Sequence, residues 1–234
     1  MCYGIIGAMP EEVEALKKLM TNVSTKDISG KEFIIGKLSN KDVVVTVSGI
    51  GKVRSAITAA TLITNFKCSK IINVGIAGGL QNLNTLDVVL STATAYHDVD
   101  VTAFGYKIGQ LPGEELTFNA DSTLLDKAYK AAKELSNKYN FTVYKGLIVT
   151  GDQFVSSAKQ RTFIEENFKD ALATEMEGSS IAHTCKCFNV PFLIIRTISD
   201  NANLEAPMTY EEMLPKACRN CQELLLKLLE DKYI

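Results

Sequence analysis

The chain has 234 residues, of which 46% are hydrophobic, and its formal net charge is −2. This composition excludes a chain dominated by disorder and supplies enough apolar material for one continuous core. The absence of a clustered basic excess argues against a nucleic-acid-binding protein, and no apolar run approaches the ~18 residues of a membrane span. We therefore expect a globular protein whose partners are neither nucleic acids nor membranes.

Six cysteines occur at irregular spacing, at positions 2, 68, 185, 187, 218 and 221. In a chain of this length such spacing argues against a disulfide framework. The short apolar run at the start has no basic lead and is not typical of a signal peptide. We therefore expect reduced thiols and a cytoplasmic location.

Strand-like apolar runs alternate with helical patterns along the whole chain. The predicted strands are residues 2–8, 33–38, 43–48, 70–74, 87–96, 143–149, 171–176 and 192–198. The predicted helices begin at Pro10 and then cover 52–66, 121–139, 157–168, 177–188 and 209–229. This alternation of strands and helices predicts an α/β fold in a single domain, 1–234. Its three layers place helices on both faces of a central mixed, largely parallel sheet.

Ligands of such sheets bind beyond the carboxyl ends of the strands, which directs attention to the segments that follow them. Residues 75–79 read GIAGG, and their backbone could approach an anion or a sugar closely, although a tight strand exit explains the glycines as well. The segment is not GxGxxG and no P-loop Lys-Ser/Thr pair is present. Nicotinamide and nucleoside-triphosphate chemistry are therefore disfavoured.

Carboxylates follow two other predicted strands. Glu175 and Glu177 alternate about Met176, so both are expected to point one way and Met176 the other. The alternative is that Glu177 only caps a helix. Asp200 follows Ser199 at a second strand end, where a turn with an Asp cap is the other interpretation. Arg196 lies inside that strand, and because a buried guanidinium is costly without an anion, we expect it to hold a carboxylate.

A metal centre is disfavoured by the placement of the likely ligands. His97 and His183 are far apart in sequence, and Cys218-x-x-Cys221 lies within a helical pattern without a matching partner pair. Neither histidine has a context typical of a Cys-His nucleophile. We expect neither a metal nor another cofactor.

Six segments carry a family resemblance. They are IIGAMPEE (5–12), SGIGKV (48–53), YHDVDVTAFGY (96–106), GQLPG (109–113), EME (175–177) and ISD (198–200). Over essentially the whole chain and in the same order, they closely resemble the 5′-methylthioadenosine/S-adenosylhomocysteine nucleosidases, hydrolytic relatives of the purine nucleoside phosphorylases. The first and third segments are the more specific, because Met-Glu and Ser-Asp occur across the wider superfamily.

The resemblance implies a set of catalytic roles. Asp200, supported by Ser199, would protonate N7 of adenine, and Glu12 would activate water. Glu177 would bind the ribose hydroxyls, and Arg196 would brace the carboxylates. The products would be adenine and a 5′-thio-substituted ribose from 5′-methylthioadenosine or S-adenosylhomocysteine, and 5′-deoxyadenosine would be a further substrate that gives adenine and a 5-deoxyribose. The chemistry is sound in itself, because a protonated adenine leaves as a neutral molecule and the sugar passes through an oxocarbenium-like state.

The resemblance also implies the substrate contacts and a homodimer. Phe154 would stack on the base and Val155 would read its edge, with Gly78 close by. Residues that would line the 5′-thioether pocket are Met9, Ile50, Met176 and Tyr210. A neighbouring subunit would supply Val101, Phe104 and Pro112 from the apolar 97–119 loop, which suits an interface because large apolar patches are uncommon on monomers.

Two positions depart from the family pattern. Ile76 stands where the family usually has a Ser whose hydroxyl helps to hold the water, so the water must rely on Glu12, Glu177 and Arg196. Tyr210 replaces a more usual Phe and adds a hydroxyl near the thioether tail.

Two alternative functions stay open at this point. The first is a purine nucleoside phosphorylase, although Glu12 near residues 75–79 would repel phosphate. The second is a non-catalytic purine nucleoside-binding module, against which stands the retention of the acid, the base and the sugar-binding carboxylates.

Overall fold

A computed structural model of the chain describes residues 1–81, 83–202 and 206–234, with side chains of the last range from residue 210 onward. The strands are β1 Cys2–Gly7, β2 Thr21–Ile28, β3 Lys31–Leu38, β4 Lys41–Val47, β5 Lys70–Gly79, β6 Val88–Tyr96, β7 Phe118–Asn119, β8 Val143–Thr150, β9 Ala171–Glu175 and β10 Phe192–Asp200. The helices are α1 Glu14–Leu19, α2 Lys52–Phe66, α3 Ser122–Tyr139, α4 Ala158–Asn167, α5 Gly178–Cys187 and α6 Ala206–Leu228. Short 3₁₀ turns occur at Pro10–Glu12 and Thr102–Phe104.

The strands form one mixed sheet, as predicted. β5 pairs in parallel with β1 and β10, and β1 pairs in parallel with β4. β6, β8 and β9 form a second parallel group, which meets the first through the antiparallel pairs β10–β6 and β5–β9. These pairings close β5, β10, β6, β8 and β9 into a ring, while β4, β3 and β2 extend from β1 as an antiparallel meander. The closure brings carboxyl ends from both groups together, because Gly78 of β5 pairs with Thr174 of β9.

Helices cover both faces of the sheet, which confirms the predicted layering. Alternate residues of one strand enter different cores: Ile5 packs in a cluster with Leu124 and Leu224, and Ile6 packs in another with Leu62 and Ile181. The first cluster involves α3 and α6 and the second involves α2 and α5. Strands buried on both faces read as continuous apolar runs, which is why the sequence pattern located them.

Several predicted boundaries change. The helix expected from Pro10 is divided into the 3₁₀ turn and α1, and the strand expected to end at residue 74 continues to Gly79. β2 was not predicted, because its residues are exposed and its polar pattern TNVSTKDI lacks an apolar face. The Asp cap of α3 is confirmed, since the Asp121 side chain accepts a hydrogen bond of 2.7 Å from the Leu124 amide.

Within the described ranges, no helix has the length and apolarity needed to cross a bilayer.

Candidate active site

A cavity of about 370 Å³ opens where the carboxyl ends of β1, β5, β9 and β10 meet. Eleven residues singled out from the sequence line it: Met9, Glu12, Ile50, Gly78, Phe154, Val155, Met176, Glu177, Ser199, Asp200 and Tyr210. The other lining residues are Ile76, Ala77 and Glu175, which the sequence analysis discussed without naming them as substrate contacts, and Ala8, Gln153, Thr174 and Glu211, to which it gave no role. Of the described residues that line the cavity, none is Lys or Arg, whereas five are carboxylates.

Glu12 lies at the end of the 3₁₀ turn that Pro10 begins, and its side chain is directed into the protein. Its Oε2 accepts hydrogen bonds from the amides of Ala8 at 2.6 Å and Met9 at 3.0 Å. Its Oε1 accepts one from the Ile76 amide at 3.1 Å. Burial raises the pKa of Glu12, and the nearby Arg196 charge together with these amides opposes that rise. The carboxylate is therefore held in a fixed position beside the glycine-rich end of β5.

Arg196 is 1% exposed and does not itself line the cavity. Its guanidinium donates to the buried Glu175 carboxylate and, at 2.6 Å, to Oδ1 of Asn73, whereas Oε2 of Glu177 is 4.0 Å away. The buried cation thus has an anionic partner, as a buried guanidinium requires. That partner is chiefly Glu175, a residue to which the sequence analysis gave no specific role.

Glu175 also forms the cap of α5. Its oxygens accept hydrogen bonds from the Glu177 amide at 3.1 Å and from the Gly178 amide at 2.8 Å and 3.0 Å, and Thr150 donates its hydroxyl to it. Glu177 occupies the N-cap position but its side chain makes no capping bond. The alternative that Glu177 only caps the helix is therefore wrong.

Met176 lines the same cavity as Glu175 and Glu177. The alternation rule holds only within a strand, and β9 ends at Glu175, so Met176 and Glu177 belong to the turn that leads into α5.

Glu177 is directed toward the start of α2. Its Oε1 accepts a hydrogen bond of 2.9 Å from the Gly51 amide, and Gly51 adopts a φ of 98°, which favours glycine. Burial, followed by repulsion from Glu175, raises the pKa of Glu177 to about 8. The carboxylate has one amide donor, so part of its hydrogen-bonding capacity is free for a ligand.

Asp200 ends β10 and is buried. Ser199 donates its hydroxyl to Oδ2 at 2.8 Å, and the Ala202 amide donates to Oδ1 at 2.8 Å, which is the local turn that the alternative interpretation predicted. Burial raises the pKa of Asp200, and these two hydrogen bonds oppose the rise. A Cβ at Gly78 would lie 3.1 Å from Oδ1, so the glycine keeps space open beside this acid.

Aromatic and apolar side chains form the walls. The Phe154 ring meets the Tyr210 ring edge to face, with centroids 5.8 Å apart. Tyr210 donates its hydroxyl to Sδ of Met9 at 3.2 Å. Ile76 packs in the same apolar cluster as Met9 and Tyr210, so the side chain that replaces the family's usual Ser is part of this wall.

Val101, Phe104 and Pro112 do not line this cavity. They lie in the 97–119 segment, where Phe104 is 80% exposed. The two histidines are also outside it: Nε2 of the buried His97 has no hydrogen-bond partner among the described residues, and His183 stacks on Phe118 with ring centroids 4.6 Å apart. Across residues 1–81, 83–202 and 206–234, no group of three or more His, Cys, Asp or Glu residues is arranged to hold a metal ion.

Comparisons with known proteins agree with this architecture. The sequence profile of the phosphorylase superfamily matches residues 3–230 and defines the class. The 5′-methylthioadenosine/S-adenosylhomocysteine nucleosidase of Staphylococcus carnosus (strain TM300) is 44% identical over 230 residues, covering 97% of this chain and 98% of that protein.

Two solved structures are similarly close. The nucleosidase of the same name from Neisseria meningitidis, in complex with methylthio-immucillin-A, has a TM-score of 0.94 and 39% identity, covering 98% of each chain. The Colwellia psychrerythraea 34H nucleosidase, in complex with adenine, has a TM-score of 0.95 and 42% identity, covering 98% of this chain and 94% of that one. The chain therefore belongs to the phosphorylase superfamily and, within it, to the family of 5′-methylthioadenosine/S-adenosylhomocysteine nucleosidases.

Proposed function

We propose that the chain hydrolyses the N-glycosidic bond of 5′-methylthioadenosine, S-adenosylhomocysteine and 5′-deoxyadenosine, releasing adenine. The names of its relatives support this substrate class, as do the adenine and the methylthio-immucillin-A bound by similar structures. The cavity has the corresponding chemistry, because aromatic and apolar walls face a floor of buried carboxylates.

The acid in this reaction is Asp200. Because burial raises its pKa, the carboxyl group retains a proton more readily, and it donates that proton to N7 of the leaving adenine. Ser199 orients the carboxyl group through its hydroxyl. General acid catalysis of this kind contributes about 10²–10⁴-fold in rate. Phe154 stacks on the base, and the backbone of Val155 reads its edge.

The sugar is stabilised from the other side. Glu177 binds the ribose hydroxyls, and in its ionised form its charge stabilises the oxocarbenium-like state. Glu12 takes a proton from the attacking water, and its three backbone amide donors fix its position. Arg196 acts through Glu175 and lies within 4.0 Å of Glu177.

Hydrolysis is favoured over phosphorolysis by a single observation. Five carboxylate residues and, among the described residues, no cationic side chain line the cavity. A phosphate ion in that field would be repelled at close range, whereas a neutral water is not. Adenine release is measured in phosphate-free buffer and again with added phosphate. We expect equal rates, and an absolute requirement for phosphate would replace this proposal with the phosphorylase alternative.

The same assay addresses the non-catalytic alternative. A panel of 5′-substituted adenosines, including a futalosine-type nucleoside, is incubated with the enzyme, and both binding and adenine release are followed. If the protein binds members of the panel but releases adenine from none of them, it is a binding module. The buried acid, base and sugar-binding groups, Asp200, Glu12 and Glu177, support turnover.

We further propose a cytoplasmic homodimer in which Val101, Phe104 and Pro112 of one protomer complete the site of its partner. Phe104 is 80% exposed, and the α2 residues Val53 and Ile57 present a second exposed apolar face. All six cysteines are free thiols, which suits a reducing compartment.

A further inference from the structure

Two of the six cysteines are in contact although they are far apart in sequence. Cys2 begins β1 and Cys68 precedes β5, and their sulfurs are 3.6 Å apart. The backbone on both sides is well anchored: the Ser69 amide donates to the Cys2 carbonyl at 2.9 Å, and the Cys68 amide donates to the Leu62 carbonyl at 3.1 Å. A disulfide requires sulfurs about 2.05 Å apart, so the bond forms through a movement of about 1.5 Å, which side-chain rotation supplies.

The two thiols differ in a way that suits sequential reaction. Cys2 is partly exposed, whereas Cys68 is 2% exposed. The hydrogen bond from Cys68 lowers the pKa of Cys2, and the same contact raises the pKa of Cys68. An oxidant therefore reaches Cys2 first and finds it the better nucleophile, while Cys68 is placed to react second.

The other four cysteines lack this arrangement. Cys185 and Cys187 are two residues apart on α5, so their side chains do not face each other. Cys221 is buried and donates to the Gly75 carbonyl at 2.8 Å, and Cys218 is buried near Ile76. Within the described ranges, Cys2 and Cys68 are the one pair of cysteines whose sulfurs are in contact.

We propose that Cys2 and Cys68 form a modification site for peroxides, at which two-electron oxidation yields a reversible disulfide. The Cys2 thiolate attacks one peroxide oxygen, forming an S–O bond, breaking the O–O bond and releasing hydroxide. The Cys68 sulfur then attacks the sulfur of this sulfenic acid, and the Cys68 proton leaves with the sulfenic oxygen as water. An external dithiol returns both cysteines to thiols and is itself oxidised.

The site lies at the amino ends of β1 and β5, whereas Glu12 and the cavity lie beyond their carboxyl ends. The six residues of β1 alone separate the two places by about 20 Å. The disulfide therefore ties the first strand to the end of α2 without altering the cavity. It constrains the unfolded chain between residues 2 and 68 and raises the melting temperature by an amount on the order of 5 °C.

The full-length protein is treated with a small excess of hydrogen peroxide, alkylated, digested without reduction and analysed by mass spectrometry. We expect the peptide carrying Cys2 to be joined to the peptide carrying Cys68, and dithiothreitol to restore both. Adenine release changes by less than about twofold, because the crosslink lies away from the cavity. Wild-type mapping decides the proposal even where a variant folds poorly, because absence of the Cys2–Cys68 crosslink overturns it.

Two variants sharpen the result. Cys68→Ser removes the second thiol, so Cys2 is expected to accumulate as sulfenic and then sulfinic acid. Cys187→Ser is the matched control, since it removes an exposed cysteine outside the pair and leaves the crosslink intact. The proposal is overturned if wild-type Cys2 proceeds to sulfinic acid as fast as in Cys68→Ser, or if crosslinks through Cys187 are the only disulfides found.

Discussion

Asp200 combines a buried carboxyl group, whose pKa burial raises, with two local hydrogen-bond donors that oppose the rise. Asp200→Asn keeps the shape of the side chain but removes the acid. We expect kcat to fall by at least about 10²-fold, with KM changing far less, because the proton matters mainly in the transition state. Steady-state adenine release measures both constants. Ser199→Ala removes only the supporting hydroxyl and should lower kcat less than Asp200→Asn does. Near-normal turnover by Asp200→Asn would reject Asp200 as the proton donor.

Glu175 has a larger structural role in the site than the sequence analysis predicted. It neutralises the fully buried Arg196 and caps α5 with the same carboxylate. Glu175→Gln removes the chief charged partner of the guanidinium, so we expect the free energy of unfolding to fall by about 3–5 kcal/mol. Urea unfolding followed by circular dichroism measures this loss. Glu165→Gln on α4, whose partner Arg161 is partly exposed, is the matched control and should cost less than about 1 kcal/mol. Equal losses in the two variants would contradict the assignment.

Helices and strands could be predicted from the sequence wherever burial imposes an apolar pattern on their residues. The continuous apolar runs of β5 and β10 and the capped helix α3 were predictable from local residues. β2 was not, since an exposed edge strand has no apolar face to mark it. The Arg196–Glu175 pair joins β10 to β9 across 21 positions, so local patterns could predict that Arg196 needs an anion but not which one. Glu177 and Asp200 were singled out as carboxylates at strand ends, and the family resemblance supplied their roles and that of Glu12. The convergence of the three depends on the closed strand ring.

Three loops beside the cavity are held together by one charged cluster. The Lys52 ammonium donates to both oxygens of Asp98 at 2.8 Å and 2.7 Å, and the Asp152 amide donates to Asp98 at 2.8 Å. The Lys52 amide donates in turn to Asp152 at 2.8 Å. These contacts fix the start of α2, where the Gly51 amide holds Glu177.

Removal of this cluster should therefore affect the reaction through Glu177. We expect Asp98→Ala to lower kcat/KM by about tenfold or more, because small displacements of a positioning group are costly in catalysis. Asp100→Ala is the control, since Asp100 is exposed and its side chain accepts hydrogen bonds, within the described part of the chain, from Thr102 of its own loop. Steady-state kinetics measure kcat/KM for both variants, and circular dichroism confirms that their folded fractions are equal. The idea fails if Asp98→Ala and Asp100→Ala behave alike.

For the whole molecule, the buried carboxylates make stability depend on pH. The pKa values of Glu12 and Asp200 are raised by burial, and that of Glu177 is raised from 4.5 to about 8. The folded protein thus binds these protons more tightly than the unfolded chain, so the stabilisation is complete below the unfolded pKa and is lost as pH rises toward 8.

Urea unfolding at intervals from pH 5 to pH 8 tests this dependence. Each such carboxyl group lowers the free energy of unfolding by at most about 1.4 kcal/mol per pH unit in this window. Glu177→Gln, which does not titrate, should show a shallower decline than wild type. A steeper decline, or the same slope in both proteins, would contradict the raised pKa of Glu177.

Assembly is the other property of the whole molecule, and Phe104 tests it best. The Phe104 ring is 80% exposed, and the 97–119 segment that carries it does not line the cavity of the same protomer. Exposure of so large an apolar side chain is difficult to explain in a monomer. In the proposed dimer it covers the partner's thioether pocket, so Phe104→Ala should weaken self-association and raise KM for 5′-methylthioadenosine about tenfold, as expected for loss of a buried aromatic contact. Phe188→Ala, at a ring that is 44% exposed on the C-terminal side of α5, should change neither property. Sedimentation velocity and steady-state kinetics on the same samples measure both, and a fully active wild-type monomer would refute the shared site.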